Sequence, residues 1–111
     1  MHLKYLSATF LALASASFQA SANKGHDYMM ALSDKARNER FTEMLAVLPQ
    51  RCVVQKNFFR GFDNSRAIWA VGCTDKSAYA IVIDGHAGGS TRILDCKVVL
   101  ERTKLDCFTK L

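Results

Sequence analysis

Proline occurs once in these 111 residues and glycine six times, which excludes collagen-like and low-complexity architectures. No Cys-x-x-Cys pair is present, so neither a thioredoxin-like redox motif nor the closely spaced thiolates of a structural zinc site can be read from the chain. A Gly-Lys-Ser/Thr phosphate loop is also missing. Histidine is scarce, with His2, His26 and His86 the only three. No uncharged apolar run reaches the roughly 20 residues that a helix needs to cross a bilayer. The length excludes a multidomain protein or a large cofactor-binding architecture.

What the chain does contain is an address at its start. Met1 to Lys4 is a short basic lead, Tyr5 to Phe18 is uncharged and rich in Leu, Ala and Phe, and Ala20 and Ala22 supply small residues before a cut. This is the three-part layout of a signal peptide over 1–22. An uncleaved N-terminal anchor is the alternative, disfavoured by the shortness of the apolar run. Cleavage leaves 111 − 22 = 89 residues, read as a single domain over 23–111 with no transmembrane segment. Fifteen Lys and Arg against ten Asp and Glu give a net charge of +5, falling to +4 without Lys4. The expectation is a small basic protein that is periplasmic or secreted, with an affinity for acidic surfaces.

Cys52, Cys73, Cys96 and Cys107 all follow the proposed cut. An even count in a small exported chain predicts two disulfides, and four cysteines allow three pairings. Two apolar runs, 52–59 and 66–73, flank the turn-like Arg60-Gly-Phe-Asp-Asn-Ser65. A hairpin centred between Phe62 and Asp63 sets Cys52 opposite Cys73, within disulfide reach. Cys96 with Cys107 then ties the tail to the last strand.

The region 27–48 predicts one helix stopped by Pro49, with Tyr28, Leu32, Ala36, Met44 and Leu48 recurring at four-residue spacing. Its polar middle leaves open a break into two helices, with Asp34 capping the second. Alternating runs predict strands at 52–59, 67–73, 78–83 and 92–100. Short connections make them an antiparallel meander, and the fold class is α+β: one N-terminal helix on a four-stranded sheet. This reading sets Trp69, Val71, Ala80, Val82, Leu94 and Val98 on the face beneath the helix. It sets Ile68, Ala70, Tyr79, Ile81, Ile83, Ile93 and Val99 on the other. The second face is too apolar for water alone, so the tail, another copy or a partner should cover it.

Catalytic readings find little support. Ser90, His86 and Asp84 share one glycine-rich loop, but proximity in a loop is not an oriented triad. Four paired cysteines leave no thiol nucleophile. A start at Lys24-Gly-His26 would hold Cu(II), but the expected start is Asn23. Arg60-Gly-Phe62 opens like an RNA-binding sheet motif, and Asp63 and Asn64 end the likeness. No nucleic-acid partner is expected, and neither a cofactor nor a metal is assigned. The expectation is therefore a non-enzymatic binding or accessory protein, such as an inhibitor or envelope-associated factor, acting through a protein partner. The candidate contacts are Phe59, Arg60, Phe62 and Arg66 at the hairpin, and Tyr79, Ile81 and Ile93 on the sheet. A small exported hydrolase or metal-handling protein and a self-associating structural subunit remain as alternatives.

Overall fold

A computed structural model describes residues 23–86 and 90–111. The expected signal peptide, 1–22, lies outside the described residues. From the start, helix α1 (Lys24–Ala31) is followed by α2 (Asp34–Met44) and a short 3-10 turn, Leu45–Val47. Strands β1 (Val54–Asp63), β2 (Arg66–Cys73), β3 (Ala78–Ile83) and β4 (Thr91–Asp95) come next, and helix α3 (Cys96–Thr103) closes the order. The four strands form one antiparallel sheet in the order β1-β2-β3-β4. The α+β class and the four-stranded meander hold, with three α-helices among the described residues in place of one.

The single helix expected over 27–48 is broken at Leu32 and Ser33. Leu32 is extended, and the Ser33 side chain accepts a hydrogen bond from the Ala36 backbone N–H, so Ser33 and not Asp34 caps α2. The freed carbonyls at the end of α1 are satisfied by Arg37. Its Nε donates to the Met29 carbonyl at 2.9 Å and a terminal nitrogen donates to that of Leu32 at 2.8 Å. A polar residue in the middle of the run therefore reaches back and stabilises the break.

The hairpin turn is Asn64-Ser65, two residues beyond the expected centre, and Asn64 has the left-handed φ of 59° that asparagine tolerates. Register slips at Gln55 and Arg60 then shift the pairing, bringing Val54 opposite Cys73. Cys52 precedes the strand, yet its Cα lies 5.3 Å from that of Cys73 and the two are bonded. Cys96 and Cys107 form the second bridge, with Cα atoms 5.6 Å apart.

The assignment of faces needs correction. Trp69 pairs with Ile81, Ala67 with Ile83 and Val71 with Tyr79, so Ile81 and not Val82 shares the Trp69 face. The reason is the β2–β3 turn. Cys73 N–H bonds the Ser77 carbonyl at 2.8 Å, leaving three residues in the loop, with Lys76 at a φ of 78°. The sequence reading used a four-residue loop, and one residue of slip exchanges the two sides of a strand.

The face carrying Trp69, Val71, Ile81 and Ile83 packs under α1 and α2 with Met29, Phe41 and Leu45. The opposite face, with Ala70 and Ala80, packs against Val99, Cys107 and Phe108 from α3 and the tail. The strand expected over 92–100 ends at Asp95, whose carboxylate accepts from the Lys97 N–H and starts α3. Cys96 and Val99 then turn inward, one helical step apart. The apolar surplus of the second face is thus met in part by the chain itself.

Candidate binding site

The first candidate surface grows from the start of α1. Asn23 is buried, and its side-chain amide donates to the Ser65 and Ile83 carbonyls, both at 2.9 Å. Its Oδ1 accepts from the His26 N–H. This ties the first turn of α1 to the hairpin turn and to the end of β3. His26 is buried as a result, and its Nδ1 accepts from the Trp69 indole N–H at 3.1 Å, which leaves the ring proton on Nε2. Burial pushes the His26 pKa below the ordinary value; the nearby Asp27 opposes that shift and Arg37 adds to it.

His26 lies within an aromatic cluster, its ring tilted or edge-on to those of Phe59, Phe62 and Trp69. Its ring centroid lies 4.4 Å from Phe59 and 4.9 Å from Phe62, and Phe59 lies 5.1 Å from Trp69. Arg37 sits over the Trp69 ring at 5.3 Å. Phe62 packs edge-on against His26 and Phe59 and is 53% exposed, so an aromatic group seated on other rings is presented to solvent. Arg66 stands beside the turn, paired with Asp63 at 3.1 Å.

The remaining sequence-predicted contacts fall elsewhere. Ile81 is 0% exposed and belongs to the core, with Tyr79 and Ile93 half-buried against it. Their expected exposure on an outer sheet face followed from the slipped register. Arg60 leaves the hairpin surface and points to the opposite face, because it is the extra residue of the second bulge. Its side chain lines a groove of about 240 Å³ under α3, together with Ile68, Val82, Leu94, Val99, Leu105 and Leu111. Arg60 is only 5% exposed, and its Nε donates to the Thr109 carbonyl at 2.9 Å. The Leu111 N–H returns to the Arg60 carbonyl, which fastens the tail across the bulge. Sequence reasoning passed over Leu105 and Leu111 and set Leu94 beneath the N-terminal helix, whereas Leu94 pairs with Ala80 on the opposite face. The signal for them was Asp95, a capping residue that turns the chain from strand to helix and folds the tail back.

The Asp84 carboxylate accepts from the backbone N–H of His86, forming a local turn, and His86 is exposed. Among the described residues no three His, Cys, Asp or Glu side chains gather as a metal-binding group. The Nδ1 atom of His26, which a copper site at the chain start would draw on, is held by Trp69. No described helix is long and apolar enough to cross a membrane. Comparison with models of known families, with curated proteins and with solved structures finds no match.

Proposed function

We propose that the chain is a small exported, non-enzymatic binding protein that engages a protein partner through its hairpin end. The observation that carries this reading is Phe62, half-exposed on a cluster of His26, Phe59 and Trp69. An aromatic side chain fixed before binding loses little entropy on contact, and such residues dominate interface energies. Arg66 adds a charged neighbour of the type enriched beside them. The net positive charge favours an acidic partner. The two disulfides fit an oxidising compartment outside the cytosol.

The test places a photo-crosslinking residue at position 62 and, as a control, at the exposed Val53. Each protein is mixed with the envelope and secreted fractions of the source cells. The expected result is a discrete adduct from position 62 that the control lacks. Unlabelled wild type should compete it away, and the Phe62→Ala protein should compete about thirtyfold less well, the effect of a typical hot spot. Identical adducts from both positions, or equal competition by Phe62→Ala, would remove the hairpin end as the contact.

A further inference from the structure

The groove beneath α3 carries a chemical contradiction. Apart from Thr103 its walls are apolar, yet the charged residue Arg60 forms part of its lining. Arg60 has five N–H donors, and only Nε has an acceptor among the described residues. No carboxylate of the described residues pairs with it: the four ion pairs found there involve Arg37, Arg40, Arg66 and Lys35. A buried charge without a counter-ion is costly, and such groups are normally paired.

We infer that this groove holds a monomeric fatty-acid anion, its carboxylate on the terminal nitrogens of Arg60 and its acyl chain along Ile68, Val82, Leu94, Val99, Leu105 and Leu111. The fork of a guanidinium matches a carboxylate with two parallel hydrogen bonds. The space, about 240 Å³, is below that of a drug-sized pocket and suits a single acyl chain. The apolar walls exclude water from the ion pair and strengthen it. Leu94, 44% exposed, stands at the rim where the chain enters. A free anion is favoured over a bilayer because the charge is sunk in the groove, whereas membrane-surface proteins display their cations outward. The inference does not depend on the hairpin end and survives its failure.

The experiment is calorimetric titration of the disulfide-bonded protein with decanoate and, in parallel, decan-1-ol, which has the same chain without the charge. One decanoate per chain is expected, bound at least about tenfold more tightly than the alcohol, the effect of one charge-assisted pair. Arg60→Met should abolish that preference. Leu94→Trp, a change at the rim that leaves the core intact, should block both ligands, so the idea stays testable should the Arg60 variant fail to fold. Methyl NMR signals of Ile68, Val82 and Val99 should shift on titration. Equal binding of acid and alcohol, no binding, or shifts confined to other methyl groups would overturn the inference. So would recruitment to phosphatidylglycerol vesicles that decanoate does not displace, or a dimer in sedimentation that seals the groove.

Discussion

At the scale of single residues, His26 couples burial, hydrogen bonding and charge. Neutral imidazole accepts from Trp69 and fits between Phe59 and Phe62. A proton on Nδ1 would turn that acceptor into a donor, leave the indole N–H without a partner and lodge a charge among aromatic rings. Burial therefore lowers the folded pKa below the ordinary 6.5. The unfolded chain takes up the proton first as pH falls, so it binds more protons than the folded chain in the interval between the two pKa values. The stability contributed by neutral His26 is complete above about pH 6.5 and is lost as pH falls toward the folded pKa. The thermal midpoint should drop between pH 7.5 and pH 5, and in His26→Gln, whose amide oxygen still accepts from Trp69, this drop should be smaller. Melting curves across that range measure it, and NMR titration of His26 gives the site directly. Equal slopes for both proteins would assign the acid sensitivity elsewhere.

Among the elements, the α1–α2 break is held by the Ser33 cap and by the reach of Arg37. Arg37 serves carbonyls at Met29 and Leu32, contacts Asn57 of β1 at 3.3 Å and covers the Trp69 ring. Arg37→Ala should destabilise the fold by about 2 kcal/mol, the scale of lost hydrogen bonds to a charged group, and Arg37→Lys should recover only part of it. Urea unfolding measures both, and a loss under about 0.5 kcal/mol would show that water replaces the contacts. This break illustrates why helical spacing could be read from the sequence while the helix count could not. A cap at Ser33 and an arginine reaching backward are tertiary choices, invisible to periodicity. The strands 67–73 and 78–83 were legible from alternation, and the cysteine pairing was legible despite a wrong hairpin centre, because two bulges recovered half of the displacement and Cys52, just before the strand, still reaches Cys73. Which side of β3 faces the helices was not legible. It depends on whether the loop after Cys73 holds three residues or four, and Thr74-Asp-Lys-Ser77 permits either. The exposed Phe62 was anticipated because aromatic residues next to a turn have few ways to hide. The groove was not, since it exists only once 96–103 is helical.

At the scale of the whole molecule, the sheet separates two apolar layers, and each layer has its own disulfide. Cys52–Cys73 belongs to the larger layer with Trp69 and Phe41, and Cys96–Cys107 to the smaller one with Ala70, Ala80 and Val99. Their loops span 21 and 11 residues of separation, so chain-entropy arguments assign each on the order of 3 kcal/mol, with little difference between them. The consequences should nevertheless differ. Without Cys52–Cys73, the helices and the sheet still bury Met29, Phe41, Leu45 and Trp69 together, and unfolding should remain a single cooperative step at lower urea. The smaller layer has no comparable interior. Val99 is its one buried aliphatic residue from α3, and the crosslink itself supplies the buried Cys107 and the partly buried Cys96. A protein with Cys96 and Cys107 both replaced by Ala should release α3 and the tail before the sheet melts. That release uncovers Ile68, Val82 and Leu94 and dissolves the groove. The observable is a separate transition at low urea, accompanied by binding of a hydrophobic dye, while the near-ultraviolet signal of Trp69 persists. A single coincident transition by both probes would instead mean that the sheet transmits cooperativity from one layer to the other.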